Sequence, residues 1–206
     1  MRKLLKKIRC VLVDKLRVYK QTQRFKLMSK RTQELRIIKK SDKQRWEDSE
    51  ELLENWNERT FLIAEMIPDN AKIIEFGAGN MILKTYLSSN CKYQGSDIVQ
   101  RFPEVRLCDL NEGIDFSLNE FDTAVFSGVL EYVYDIEQVF KQLKNEINTV
   151  ILSYACSDIV SVNRLTMGWL SDYSKNELEN VFFRNGYEIT EYLEWNKQSI
   201  YKLNHN

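Results

Sequence analysis

The residues best suited to chemistry lie in one short run, Ile73-Ile74-Glu75-Phe76-Gly77-Ala78-Gly79-Asn80. There an apolar strand pattern breaks into a glycine-rich turn, and a helical pattern follows at once. Glycines in such a turn accept positive φ and let a ligand approach the backbone closely. Three further groups fall in step with it. Asp97 ends the next strand pattern, 22 residues after Glu75, where a carboxylate can grip the two hydroxyls of a ribose. Asp109 ends the pattern after that. Ser127-Gly128 follows the fourth, beside the point where an open sheet takes its ligand. A G-x-G turn alone is common; the ordered set is far more specific.

The elements that must position these groups alternate. Strand patterns cover 72–76, 92–98, 104–108, 121–126 and 148–154, and helical patterns cover 46–67, 81–88, 136–146 and 174–185. Ser49 is the expected N-cap of the 46–67 helix, and Gly186 is placed to end the 174–185 helix. Strands alternating with helices imply βαβ units and a mostly parallel sheet covered on both faces. Two closing strands, 187–195 and 199–203, leave no room for a crossover helix and must pair as an antiparallel hairpin.

In this order the pieces resemble the class I S-adenosylmethionine-dependent methyltransferases. The matching segments are IIEFGAGN, YQGSDI ending in Asp97, LCDL with Asp109, FDTAVFSGVLEYV, and LSDYSKNELENVFFRNGYEIT late in the chain. The resemblance covers residues 46–206. It implies an α/β, Rossmann-like, seven-stranded methyltransferase sheet with an antiparallel last hairpin, and S-adenosylmethionine as cofactor. It also implies roles for single residues. Gly77 and Gly79 would face the methionyl part, Asp97 the ribose, Asp109 and Leu110 the adenine, and Ser127 the reactive sulfonium, with Glu75 at the end of the first strand also among the cofactor-binding residues. Where the family often has histidine after the glutamate of the fourth-strand segment, Tyr132 follows Glu131 here, so no histidine moves a proton at that spot.

Glu131 lies four residues beyond Ser127, a helical turn away, and is expected to position or deprotonate an acceptor hydroxyl, with Tyr132 beside it. The acceptor wall should come from 129–135 and from the long 156–173 connection, read as a lid. Tyr134, Arg164 and Trp169 are its expected substrate contacts. With Asp158, Asn163 and Asp172, the connection suits a polar, sugar-like acceptor, either a small molecule or a glycan. The crossovers after the second and third strands are too short for helices, which leaves the adenine side of the sheet under-covered unless residues 1–67 or a second copy flank it. Two alternatives stand beside this reading. One is a methyltransferase-like partner subunit without turnover. The other is a nicotinamide-dependent Rossmann oxidoreductase, whose G-x-G-x-x-G fingerprint would need glycine where Ile82 stands.

Composition bounds the rest. The chain has 206 residues, 43% hydrophobic and 29% charged, which reads as globular rather than disordered, and no apolar run is long enough to span a bilayer. Four separated cysteines and one histidine, His205 in the tail, offer no metal-ligand spacing, and the cysteines read as small apolar residues in a reducing cytoplasm. The net charge of zero hides a division. Residues 1–45 hold 17 of the 30 basic residues and only three acids, a balance of +14 against −14 for the remainder. This stretch is therefore read as a basic amphipathic helical extension, 1–45, on a cofactor-binding domain, 46–206. Leu4, Leu5, Ile8, Val11, Leu12, Leu16 and Tyr19 fall on one arc of it. Its partner could be an anionic membrane surface on the cytoplasmic side, its own acidic body, or a second copy in a homodimer. Nucleic acid is disfavoured for want of any recognition motif.

Overall fold

A computed structural model of the chain describes the backbone over residues 2–206 and side chains from residue 13 onward. Helix α1 (Arg2–Ile38) leads into α2 (Lys43–Glu47), two 3-10 turns (Ser49–Glu51 and Glu54–Trp56) and α3 (Asn57–Glu65). The body continues as β1 (Lys72–Phe76), α4 (Ile82–Tyr86), β2 (Lys92–Asp97), β3 (Arg106–Leu107) and β4 (Thr123–Phe126). A 3-10 turn (Leu130–Tyr132), α5 (Ile136–Leu143), β5 (Thr149–Tyr154), α6 (Arg164–Met167), α7 (Lys175–Arg184), β6 (Tyr187–Trp195) and β7 (Gln198–His205) complete it.

The seven strands form one sheet in the order β3-β2-β1-β4-β5-β7-β6. Strands β1 to β5 run parallel, whereas β7 is inserted antiparallel between β5 and β6, pairing Thr149 with Asn204 and Tyr154 with Ser199. That insertion separates the sheet from the 3-2-1-4-5-6 order of dinucleotide-binding folds. The β6–β7 hairpin turns on Asn196 and Lys197, both at positive φ, as a two-residue connection between twisted strands requires. Apolar side chains fill both faces. Phe76, Phe126, Phe140, Phe182 and Tyr201 pack on the side of α5 and α7, and Ile63, Ile73, Leu83, Val125 and Ile151 on the side of α3 and α4. The switch point, where β1 and β4 lead away in opposite directions, opens a crevice at their carboxyl ends.

Most expected elements are present, several of them shorter. The crossovers after β2 and β3 carry no helix, as their length dictates. Three differences have local causes. The helix expected over 46–67 is broken into short turns before α3, because the Asp48 carboxylate accepts the Glu50 N–H at 2.9 Å and offers the backbone a non-helical bond. Asp48, not Ser49, is therefore the cap. The third strand shrinks to two residues, since only Arg106 and Leu107 find partners on β2. A helical turn, α6, occupies the connection read as a lid, capped by Asn163 accepting from the N–H groups of Leu165 and Thr166.

Helix α1 lies partly on the body. Its second half presents Thr32, whose hydroxyl donates to the Leu165 carbonyl at 3.0 Å, and Arg36, which donates to the Trp169 carbonyl at 2.9 Å. Residues 13–22, by contrast, are all exposed. The apolar positions from Leu4 to Leu12 lie outside the described side chains. No helix among the described residues is long and apolar enough to cross a membrane.

Candidate active site

The site begins where β1 ends. Gly77 sits at φ +69, and a Cβ there would fall 2.3 Å from Cγ2 of Val129, so both backbone angle and space demand glycine. The next turn is latched to β2: the Gly79 N–H donates to Oδ2 of Asp97 at 2.8 Å. The other Asp97 oxygen accepts the Val99 N–H at 2.9 Å and faces Arg101 at 3.6 Å. The left-handed residue that closes the turn into α4 is Met81, at φ +53, and not Asn80, whose side chain is the more usual occupant of that conformation. Glu75, behind the turn, is buried and accepts the Tyr93 hydroxyl. Burial pushes its carboxyl up to about 8, and Asp97 nearby adds to the rise.

Ser127, after β4, is clamped by α3. Its carbonyl accepts from Arg59 at 3.1 Å, and its hydroxyl lies 3.3 Å from the Arg59 Nε and 3.1 Å from the Thr60 hydroxyl. Arg59 is 5% exposed and also donates to Gln198 at 3.0 Å. Its guanidinium lies between the Trp56 and Trp195 rings, and burial lowers its pKa. Gly128 follows at φ +69, where a Cβ would lie 2.4 Å from that guanidinium.

Two cavities meet at Gly77 and Ser127, with Leu52 and Trp56 on the wall between them. One is lined by Asp97, Asp109, Leu110, Val129 and Tyr132, and the other by Glu75, Gly79 and Arg59. The first cavity is roofed by the extension and the strap that follows it, because Ser41, Asp42 and Trp46 line it. Ser41 donates to Asp109 at 2.6 Å, Arg101 donates to the Trp46 carbonyl, and Arg24 and Arg45 both pair with Glu51.

Eight of the residues singled out in the sequence therefore converge: Glu75, Gly77, Gly79, Asp97, Asp109, Leu110, Ser127 and Tyr132. Four do not reach either cavity. Glu131 is 1% exposed, and its carboxylate turns away into the core, where Oε1 accepts the Ala155 N–H at 2.9 Å and Oε2 has no partner. The positive φ of Gly128 and the 3-10 turn at Leu130–Tyr132 rotate it off the helical course that four-residue spacing assumes. Arg164 is a buried tie, donating to the carbonyls of Ser171 at 2.7 Å and Ala155 at 2.8 Å and to the Tyr154 hydroxyl at 2.9 Å. Trp169 packs beneath its guanidinium, 4.7 Å from ring centre to Cζ. The Tyr134 hydroxyl is directed at the carbonyls of Leu35 and Lys40, 2.8 and 2.9 Å away, and anchors the end of α1. The 156–173 connection is thus pinned from inside rather than hung as a lid.

Sequence reasoning missed Arg59, Arg101 and the strap residues. Arg59 did carry a signal, as the only lysine or arginine in residues 46–71 and on the apolar side of its helix next to Thr60.

No protein-family model matches the sequence, and no curated protein matches it. Solved structures do match the fold. A 1,6-didemethyltoxoflavin-N1-methyltransferase from Burkholderia thailandensis, with 1,6-didemethyltoxoflavin and S-adenosylhomocysteine bound, is 15% identical, with a TM-score of 0.58 over 74% of this chain and 79% of that one. An S-adenosylmethionine-dependent methyltransferase from Mesorhizobium loti is 14% identical, with a TM-score of 0.55 over 70% of this chain and 96% of the other. A methyltransferase of calicheamicin biosynthesis, with S-adenosylhomocysteine bound, is 13% identical at a TM-score of 0.54; the match covers 74% of this chain but spans about half, 54%, of that enzyme's length. Identities this low speak to architecture alone, and with its inserted antiparallel strand the chain has the fold of the class I S-adenosylmethionine-dependent methyltransferases, from which the helix-free crossovers after β2 and β3 are a departure.

Proposed function

We propose that the chain is a methyltransferase that uses S-adenosylmethionine to methylate a small-molecule acceptor. The observation that carries this is the latch between Gly79 and Asp97 at the switch point, with Asp109 and Ser127 brought onto the same cavity. The groups present suit the cofactor. The free lone pairs of Asp97 fit ribose hydroxyls, and Asp109 with Leu110 fits the adenine edge. Glu75 and the Gly77–Gly79 backbone fit an α-ammonium, and Arg59 fits an α-carboxylate. When bound, the cofactor supplies a methyl group activated on a sulfonium.

The chain's own contribution is alignment and exclusion of water. Ser127, clamped by Arg59 and Thr60, fixes the end of β4, and Leu52 with Trp56 closes the cleft from above. Glu131 acts as a positioning residue that holds the start of β5's exit loop through Ala155, and is not a base. Tyr132 lines the cavity and brings a phenol hydroxyl that can donate a hydrogen bond to an acceptor. We take residues 46–206 as the cofactor-binding body and 1–45 as the extension that roofs it. The exposed stretch of that extension, with Lys15, Arg17 and Lys20 beside Val13, Leu16 and Tyr19, suits an anionic membrane surface.

Calorimetry with S-adenosylmethionine, S-adenosylhomocysteine and a nicotinamide dinucleotide tests the central reading. The first two should bind and the third should not; binding of the dinucleotide alone would overturn it. Flotation with anionic against neutral liposomes tests the surface, and equal flotation, or none, removes the membrane from the account. A concentration-dependent dimer in sedimentation would instead assign the extension to a second copy.

A further inference from the structure

The polar residues of the 156–173 connection have other work. Asp158 accepts the Lys175 N–H at 2.9 Å, Asn163 caps α6, and Arg164 is committed to three buried acceptors. Asp172 is exposed and pairs with Arg164 at 3.5 Å. None of the four lines the cavity beyond Ser127. The charged and polar groups on the Asp97 side of that cavity are already paired, Ser41 with Asp109 and Asn111, Asp42 with Arg31, and Arg101 with Asp97 and the Trp46 carbonyl. The wall facing them includes Trp46, Leu52, Trp56, Tyr132, Gly168 and Leu170, rings and aliphatic groups with one glycine.

The corner of this wall has a defined geometry. Trp46 and Tyr132 meet edge to face, with ring centroids 4.9 Å apart at 86°. Behind them stands Arg45, its guanidinium 4.6 Å from the Trp46 ring centre and 5.5 Å from that of Tyr132. Arg45 is fixed in turn by Glu51 at 2.9 Å and by the Met167 carbonyl at 2.9 Å. Gly168, at φ +78, leaves the room it needs, since a Cβ there would lie 2.2 Å from an Arg45 nitrogen. One side chain therefore ties the strap, the fourth-strand turn and the 164–170 wall into a single corner.

We infer that this corner receives a flat aromatic acceptor, with Trp46 and Tyr132 as its platform and Arg45 as the residue that positions them. The inference rests on the cofactor reading above and names the acceptor class for the same site. A sugar placed here would bury hydroxyls against rings and methyl groups, and each hydroxyl left without a partner costs about 1–3 kcal/mol. A planar ring meets the corner without that penalty, and aromatic pairs in offset or edge-to-face contact gain about 0.5–1.5 kcal/mol beyond the area they bury. The Tyr132 hydroxyl can meet a single polar substituent on such a ring.

The test uses the full chain saturated with S-adenosylhomocysteine, with hydroxyquinoline and naphthol as flat probes and methyl glucoside as the polyol control. Calorimetry and tryptophan fluorescence read their binding. The flat probes should bind and the glucoside should not. Trp46→Ala and Tyr132→Ala should each weaken probe binding about tenfold or more, the scale of a buried aromatic anchor. Trp46→Phe, which keeps a ring and guards against simple misfolding, should recover most of that loss. Arg45→Lys, which keeps the charge but not the fork, should weaken the probes several-fold and by more than it weakens S-adenosylhomocysteine, read as the ratio of the two affinities. Failure of both flat probes to bind, or glucoside binding as tight as theirs, overturns the inference. So does a Trp46→Ala variant that loses S-adenosylhomocysteine as strongly as it loses the probes, because the platform would then serve the adenine. If S-adenosylhomocysteine does not bind the unaltered chain, the cofactor reading fails first and the acceptor class falls with it.

Discussion

The floor and the roof of the cleft are built by opposite means. The floor is backbone: the β1 turn, the ends of β2 and β4, and a latch from Gly79 N–H to Asp97 that spans 18 residues. The roof is side chains reaching across the sequence: Ser41 to Asp109 over 68 residues, Arg45 to Met167 over 122, Thr32 to Leu165 over 133. A backbone floor is set by strand register and fails only where an angle or a close approach is violated. A side-chain roof rests on separate bonds of about 1 kcal/mol each, so it can loosen by degrees. The floor should therefore break sharply and the roof gradually.

The largest effect is expected outside both, at the buried side-chain tie inside the 156–173 connection. Arg164→Met leaves the carbonyls of Ala155 and Ser171 without their side-chain donor, takes away one of the partners of the Tyr154 hydroxyl, and removes one of the two guanidinium groups that face the buried Glu131 carboxyl. Breaking a buried charged network from one side costs about 3–5 kcal/mol, readable as a lower midpoint in denaturant unfolding. A loss under about 1 kcal/mol would mean that the wall stands without Arg164. In the floor, Gly77→Val adds a β-branched side chain at φ +69 into the space of Val129. Calorimetry should find affinity for S-adenosylhomocysteine lower by about 100-fold or more, since strain and overpacking each cost about 1–3 kcal/mol.

The same division explains what the sequence reveals. Strands β1 and β6 begin and end where their apolar pattern does, and the latch partners are visible because Gly79 sits in the glycine turn that leaves β1 and Asp97 ends β2. Glu131 and Arg164 mislead for a shared reason. A charged residue in a connecting segment reads as solvent- or substrate-facing, and only tertiary packing shows that these two face inward and hold Ala155 from either side. Ser41 and Trp46 carry no local mark, since their partners, Asp109 and Tyr132, are distant in the chain.

Glu75 offers an intermediate test of the floor. In the folded chain its carboxyl is raised from 4.5 to about 8, chiefly by burial. The folded state therefore holds a proton that the unfolded chain releases, a contribution to stability fully present below about pH 4.5 and lost as pH rises through about 8. Unfolding free energy of the ligand-free chain should fall by on the order of 1–2 kcal/mol from pH 6 to pH 8, and Glu75→Gln should flatten that fall. A profile identical in the two proteins would place the titration elsewhere.

Ser41→Ala probes the roof at its lightest fastening. The hydroxyl both donates to Asp109 and accepts from the Asn111 side chain, which itself holds the Tyr132 carbonyl. Removing it frees a strap that Arg101, Arg45 and Asp42 still hold, so the fold should be unaffected and the cleft merely easier to open. One net hydrogen bond of about 0.5–1 kcal/mol corresponds to a two- to fivefold effect, expected in the dissociation rate of S-adenosylhomocysteine and not in its association rate. Stopped-flow displacement measures both. An unchanged dissociation rate would mean that the strap does not retain the ligand at all. A dissociation rate raised a hundredfold would mean that the roof is as cooperative as the floor, with Ser41 as its keystone rather than one fastening among several.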